Sequence, residues 1–428
     1  MSIADNLAGP IANTATKAYV KRYDPNKPGF QLIFHKVWND FLEAIKAFNI
    51  SVPQYVKDEV ARMIACGTLA MGFEVYECPN CHRHHIICYT CKSRFCPSCG
   101  QKMTRARAYR ISRCTLDVNH RHMVFSIDKR LRAYFFHHPD WLNFLFDAAK
   151  EAIFYTFNKQ KTSKQSFQIT KRKRKRKKKK NTLTPGFIIT LHTYGRDLKW
   201  NPHVHVLCTE GGMNQDNVYR ALSYINYESL RKSFMKQLLD KMKAALQSDP
   251  KELRKFKQLV NTIYKEKTNG FYVNAPPKEM RKNGKDQVIK YMIRYAGKPA
   301  MAQSRVISYN HETKSIEYWF QDHKTGDKVI VKEPIFKFIL KLIRHIPHPQ
   351  FKMVRYYGIY ATCDHKHKKA VRLKLSHQNK NRHDRPKHYR LSLIDTFGVD
   401  PLLCTCGHYM EFVDSYVPPR FRADGESP

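Results

Sequence analysis

The sequence reads as an α+β chain with a metal-binding module near its start. Three observations lead there. Stretches with the 3–4-residue apolar spacing of helices alternate with short apolar runs of strand type. Two of those runs, Gly186 to Tyr194 and Asn201 to Cys208, are joined by Gly195 to Trp200, a turn of hairpin type. Six of the 12 cysteines fall between Cys78 and Cys99.

In chain order, residues 1–30 are rich in small and turn-forming residues and read as loosely ordered. Val37, Phe41, Ile45 and Phe48 give helical spacing to Phe34–Phe48, and Val56–Ala70 is a second helix. After the cysteine-rich Glu77–Gly100 comes a basic helix, Lys102–Ser112. His122–Ile127 reads as a strand and Phe135–Phe157 as an aromatic helix. Residues 171–180 are all Lys or Arg, a run that repels itself and so predicts a solvated arm. Beyond the two hairpin strands, helices are expected at Ser229–Leu246 and Lys251–Tyr264. Another spans Gln287–Tyr295 and is closed by Gly297 and Pro299. Val306–Tyr309 and Ile316–Gln321 read as strands, and Pro334–His345 as an amphipathic helix. The expected division is an N-terminal helical and zinc-binding part, 1–115; a central part, 116–330, carrying the basic insertion; and a helical, basic remainder, 331–428.

The 77 Lys and Arg stand against 36 Asp and Glu, a formal net charge of +41. That excess calls for a polyanionic partner, and nucleic acid is the leading one. An anionic membrane fits less well, because there is no apolar run of 18 residues and no amphipathic terminal helix. Met1–Pro10 has no basic start or apolar stretch of a leader, so a cytoplasmic protein is expected. Clustered cysteines in a long intracellular chain indicate metal rather than disulfides.

Cys78-Pro79-Asn80-Cys81 and Cys96-Pro97-Ser98-Cys99 lie 14 residues apart. Each is a tight turn that points two thiolates inward, and two such turns supply the four sulfurs of a closed structural zinc site. His84, His85, Cys88 and Cys91 lie between them and can replace a ligand or build a second site. The following Lys102, Arg105, Arg107, Arg110 and Arg113 fit a helix presented to a phosphate backbone, against the plainer reading of a solvated basic face.

His203-Val204-His205 lies in a strand, so both imidazoles point to one face, where neutral imidazoles can hold a divalent metal. Chance alone gives roughly one His-x-His among 21 histidines. Of the four here, this is the one with an apolar centre and an apolar strand after it. About 90 residues later Tyr291 and Tyr295 stand at i and i+4, both phenols on one helix face. Such pairs are more often core than chemistry, but Arg294, Lys298 and Arg305 surround this one and could orient phosphates. Gln287, one turn before Tyr291, is a candidate third metal ligand, and Asp197 in the hairpin turn is another. A metal beside a phenol suits attack on a phosphodiester.

At these residues the chain resembles the rolling-circle transposases of bacterial insertion sequences that carry an HUH (His-hydrophobic-His) nuclease, two tyrosines and an N-terminal zinc-binding domain. The matching pieces run in the family's order: the knuckles from Cys78 to Cys99 with Gly100 and Gln101; the strand His122–Ile127; Gly186–Gly195; Asn201–Val206 around the histidine pair; Tyr291–Pro299; and Val354–Tyr360. The resemblance implies a zinc domain followed by a nuclease domain, whose central antiparallel sheet carries His203 and His205 with the tyrosine helix beside it. It implies Mg²⁺ or Mn²⁺ at the histidines, structural Zn²⁺, and Tyr291 and Tyr295 as nucleophiles that nick and rejoin single-stranded DNA through a 5′-phosphotyrosine. The basic run at 171–180 departs from the family pattern. So does Cys404-Thr405-Cys406, one residue short of the family's C-terminal cysteine spacing, which speaks against a second zinc there. Two other readings remain open: a replication initiator or relaxase with the same chemistry, and a non-catalytic zinc DNA-binding protein.

Overall fold

The computed structural model describes residues 29–159, 182–274, 291, 295, 299–322, 325–361, 368–379, 394 and 400–418. The basic run 171–180 and residues Gln287, Arg294 and Lys298 lie outside that set, as do the side chains of Arg105, Arg107 and Arg110.

The N-terminal part begins with helices α1 (Phe30–Lys46) and α2 (Gln54–Ile64). In α1, Phe30, Ile33, Phe34, Val37, Trp38, Phe41 and Ile45 recur at helical spacing and all are buried. Strands β1 (Phe73–Glu77) and β2 (His84–Cys88) form a hairpin inside the cysteine-rich segment. Helix α3 follows, Pro97–Cys114, starting earlier than its basic residues suggest: Pro97 at its first position presets the backbone.

The central sheet has the order β12-β4-β5-β3-β8 and is antiparallel throughout. Its strands are β3 (His120–Ser126), β4 (Gly186–Tyr194), β5 (Trp200–Thr209), β8 (Val273–Asn274) and β12 (Val354–Gly358). A short pair, β6 (Gly211–Met213) and β7 (Tyr219–Ala221), extends from β5.

Alternation along the central strands splits the sheet into two faces. Phe125, Phe187, Ile189, Leu191, Val204, Val206 and Cys208 join one large core. It is covered by α4 (Arg132–His137), α5 (Leu142–Lys159), α6 (Tyr227–Ala245) and α7 (Pro250–Glu266). The aromatic stretch read as one helix is therefore two, divided at Pro139, whose ring and missing N–H do not suit a helix interior. On the other face Ile188 and Leu207 pack with Ala108 and Ile111 of α3 and with Tyr291. Helix α3 thus leaves the zinc-binding part and lies against the histidine-bearing face.

A second antiparallel sheet contains β9 (Val306–Asn310), β10 (Ser315–Gln321) and β11 (Lys328–Pro334), followed by α8 (Ile335–Ile343). Ile316, Tyr318, Phe338 and Leu342 share one core with α1, α2 and Cys66, Cys91, Cys96 and Cys99. The β4–β5 turn is pinned into it by Leu198, whose φ of 63° is unfavourable for a branched side chain. The fully buried side chain offsets that strain of about 1–2 kcal/mol by a similar amount. Helix α9 (Lys368–Asn379) and strand β13 (Glu411–Tyr416) complete the chain, and β13 pairs with β1. Among the described residues no helix is long and apolar enough to cross a membrane.

Candidate active site and metal centres

His203 and His205 leave β5 on the face opposite the large core, as strand alternation requires. In register across β4, His192 stands opposite His203 and Thr190 opposite His205. The ligand atoms of His192, His203 and His205 lie within 4.8 Å of one another. Nε2 of His203 and Nε2 of His205 are 3.1 Å apart. Two ligands about 2.1 Å from one ion at right angles would stand about 3.0 Å apart, so the pair fits a shared cation. His203 Nδ1–H donates to the Asn201 carbonyl at 2.7 Å, which leaves Nε2 as the lone-pair nitrogen. His205 Nδ1 lies 3.0 Å from Nε2 of His122, an imidazole–imidazole contact that orients the second ring. His192 Nε2–H donates to the carbonyl of Tyr295 at 2.7 Å, leaving Nδ1 as its basic nitrogen. Burial, opposed by the Asn201 carbonyl, lowers the His203 imidazole. Burial and then the neighbouring His192, His203 and His122 hold His205 well below the usual range. Neutral rings are the form that binds metal.

The third member of this cluster is therefore His192. Asp197 instead closes its own turn, accepting from the Lys199 N–H at 3.2 Å and pairing with Lys199 Nζ at 3.1 Å. Gln287 lies outside the described residues. Alternation forward from Thr190 reaches His192 once the hairpin register sets Thr190 opposite His205.

The two tyrosines differ. Tyr291 is 3% exposed, and its hydroxyl donates to the His205 carbonyl at 2.8 Å and approaches Thr190 Oγ1 at 3.3 Å. Burial pushes its phenol well above the ordinary range. Tyr295 is half-buried and stacks on His205, ring centroids 4.1 Å apart, and on His122 at 4.5 Å. Arg94, between Cys91 and Cys96, reaches the Tyr295 carbonyl with Nη2 at 3.4 Å. Pro299 packs on Gly100, where an added Cβ would come within 3.1 Å of it. Arg305, expected to meet phosphate, spends its guanidinium on the carbonyls of Trp319 (3.0 Å) and Arg196 (2.6 Å). Of the aromatic rings near the site, Trp200 stacks on His345 and Tyr357 on Phe187, whereas Tyr356 is exposed.

The knuckle cysteines do not form one set of four. Cys96 and Cys99 gather with Cys66 and Cys91, all buried, while Cys78 and Cys81 gather with Cys404 and Cys406. Cys66, just past α2, lies far upstream of any knuckle spacing, and Cys91 supplies the fourth sulfur. Cys66 and Cys91 approach Cys99 at 3.5 and 3.6 Å. Sulfurs about 2.3 Å from a tetrahedral zinc would stand about 3.8 Å apart, so the buried set fits that ion. The backbone N–H groups of Cys91 and Ser93 point at Cys66 and Cys91 sulfurs, at 3.3 and 3.5 Å, as thiolates require. His84 turns to Glu77, and Cys88 ends β2 opposite Phe73.

A cysteine-rich module whose helix docks on a sheet bearing histidines, beside two tyrosines, can now be set against known proteins. Residues 33–127 match the family described as "Transposase zinc-binding domain", and residues 186–369 the family described as "Putative transposase". The "Transposase for insertion sequence element IS801" of Pseudomonas savastanoi pv. phaseolicola is 28% identical over 371 residues, covering 83% of this chain and 82% of that protein. "Putative transposase y4qJ" of Sinorhizobium fredii is 23% identical over 336 residues, 75% of this chain and 78% of that protein. No solved structure matches the chain. The chain thus resembles transposases over most of its length, in its zinc-binding segment and in the segment that carries the histidines and tyrosines.

Proposed function

We propose that the chain is a metal-dependent tyrosine endonuclease and strand transferase that nicks and rejoins single-stranded DNA at the ends of its element. The single observation that carries this reading is the stack of Tyr295 on His205, beside a cluster of three buried imidazoles. When bound by His192, His203 and His205, Mg²⁺ or Mn²⁺ would polarise the scissile phosphate and neutralise charge building on its oxygens. His203 is held as an acceptor by the carbonyl on its other nitrogen and His205 is oriented by His122, so the site is organised before the metal arrives.

Tyr295 attacks first. Its phenol oxygen forms a bond to phosphorus and gives up its proton, and the bond to the 3′ oxygen breaks, leaving a free 3′-OH. The product is a 5′-phosphotyrosine, whose bond energy is kept so that a later 3′-OH can reverse the step. Tyr291, anchored on the His205 carbonyl, has to leave that anchor before it can accept a second strand. Arg94 and His192 hold the Tyr295 main chain between them. The excess of basic residues binds phosphates with steep salt dependence, and the work takes place on DNA in the bacterial cytoplasm.

The test is a cleavage assay on labelled single-stranded DNA from the element's own ends, with Mn²⁺ or with EDTA. A covalent protein–DNA adduct that needs Mn²⁺ and disappears in the Tyr291→Phe/Tyr295→Phe double variant is expected. Tight binding of verified ends with no adduct would remove the catalytic reading and leave a zinc DNA-binding protein.

A further inference from the structure

We infer that Cys78, Cys81, Cys404 and Cys406 form a second zinc site, split between the two ends of the chain, that clasps the C-terminal strand onto the zinc-binding part. Four sulfurs converge there from positions more than 300 residues apart: Cys78 Sγ lies 3.4 Å from Cys406 Sγ, and Cys81 Sγ 3.5 Å from Cys404 Sγ. These are the separations of the buried set, and four thiolates without a hard oxygen donor suit zinc.

Local geometry explains how a one-residue spacing suffices. Gly407, at φ +88°, bends the chain so that its N–H donates to the Cys404 carbonyl at 3.0 Å, and the Cys404 N–H donates to the His408 carbonyl at 2.9 Å. Both sulfurs therefore emerge on the inside of one turn. On the other side His82, at φ 51°, closes the Cys78 turn by donating to the Cys78 carbonyl at 2.9 Å. Arg83 hydrogen-bonds Thr405 between the two turns.

Beyond the cluster, β13 continues as the outer strand on β1, with Phe73 opposite Tyr416 and Glu77 opposite Glu411. Phe412 meets Tyr76 edge-on, ring centroids 5.8 Å apart. Much of β13 is nonetheless solvent-facing: Phe412 is 58% and Tyr416 41% exposed. Little apolar burial adds to the pairing of this strand with β1, so the metal would reinforce a weakly held edge. The two zinc sites stand at opposite ends of the β1–β2 hairpin, roughly 17 Å apart for five residues of strand. They also differ in access. All four cysteines of the first set are buried, whereas Cys81 and Cys406 of the second are exposed. The split site is then the one a chelator empties first, freeing the C-terminal strand.

The test is zinc content of the full chain. Two zinc ions per chain are expected, falling to one in Cys404→Ser/Cys406→Ser and also to one in Cys78→Ser/Cys81→Ser. One zinc in the unaltered chain, or zinc unchanged in the Cys404→Ser/Cys406→Ser variant, overturns the inference. Cysteine alkylation of the unaltered chain under graded EDTA gives a second reading that needs no variant to fold. Cys78, Cys81, Cys404 and Cys406 should become reactive together, ahead of Cys66, Cys91, Cys96 and Cys99. Cys404 and Cys406 reactive while zinc is still fully bound, or Cys78 opening with Cys96, would overturn it. Neither readout uses DNA, so failure of the nuclease reading leaves both intact.

Discussion

Tyr295→Phe and Tyr291→Phe each remove a single oxygen, and the structure predicts opposite consequences. In Tyr295→Phe the ring keeps its stack on His205 and His122, and such stacks contribute about 0.5–1.5 kcal/mol regardless of the hydroxyl. Folding should be undisturbed, while formation of the first covalent adduct falls by about 10³-fold or more, as expected when a nucleophile is deleted. In Tyr291→Phe the lost hydroxyl is the one donating to the His205 carbonyl at 2.8 Å. The residue is 3% exposed, so water does not replace that donor, and about 1–3 kcal/mol of stability is lost. First-strand adduct should stay within about tenfold of the unaltered protein, since a bond of that size lies behind the attacking ring rather than on it. Rejoining, which needs a second tyrosine, should fail. The assay is single-turnover adduct formation on a labelled strand in Mn²⁺, run beside a thermal melt of each variant. An adduct that survives Tyr295→Phe and vanishes in Tyr291→Phe, with no loss of stability in the latter, would refute the assignment.

Three further outcomes follow from the same geometry. His122→Ala, which removes the partner of His205 Nδ1, should weaken Mn²⁺ dependence of the adduct by about 10–100-fold, and His192→Ala by at least as much; Mn²⁺ titrations unchanged in both would count against the three-imidazole site. Arg94→Ala should slow the adduct by about fivefold, the value of one hydrogen bond near 1 kcal/mol, without changing zinc content; loss of zinc in that variant would mean the arginine serves only the fold. His345, which burial holds at about 4, donates to the Leu198 carbonyl at 3.1 Å and stays neutral in the fold. Its unfolded value is about 6.5, so the unfolded chain takes up the proton first as pH falls between those values. The residue therefore costs nothing above about pH 6.5 and up to about 3 kcal/mol near pH 4. Urea midpoints of His345→Gln should fall less steeply over that window than those of the unaltered chain, and parallel curves would contradict the reading.

Strand alternation made His203 and His205 legible, because a period of two needs only neighbouring residues. The same rule reaches His192 once Thr190 is placed opposite His205, but that register belongs to the hairpin and is not written in either strand alone. The i, i+4 spacing of Tyr291 and Tyr295 indicates a shared helix face and says nothing of depth. The carbonyl of His205 beneath one ring and the imidazole beneath the other decide which hydroxyl is engaged. Knuckle spacing identifies Cys78, Cys81, Cys96 and Cys99 as metal-type cysteines, yet pairing them with each other assumes that neighbours in sequence share an ion. The β1–β2 hairpin separates them and turns each pair toward a distant partner, Cys66 and Cys91 on one side and Cys404 and Cys406 on the other. Strands β11 and β13 carry many charged or exposed residues and escape a search for apolar runs. They are held by edge pairing, to β10 and β1 respectively.

One atom links the buried cysteine set directly to the imidazole cluster. The Tyr295 carbonyl oxygen accepts from His192 at 2.7 Å and faces Arg94 at 3.4 Å, and a carbonyl has two lone pairs for two such donors. His192 belongs to the imidazole cluster, and Arg94 to the loop whose ends are Cys91 and Cys96. Ser93 Oγ ties that loop to Glu59 and to the Phe95 and Cys96 N–H groups, and a metal held by Cys91 and Cys96 would fix both of its ends around Arg94. Further on, within α3, Gly100 lies against Pro299, so close that an added Cβ would stand 3.1 Å from the proline ring. Emptying the buried set would loosen the loop that carries Arg94, and the Tyr295 carbonyl would lose one of its two donors. Emptying the split set would release β13, which touches β1 and none of these residues. Graded chelation should therefore separate the two: the first zinc to leave frees the C-terminal strand with first-strand adduct preserved, and the second takes the adduct with it. Adduct lost in step with the first zinc would place the control at the clasp instead of at the loop.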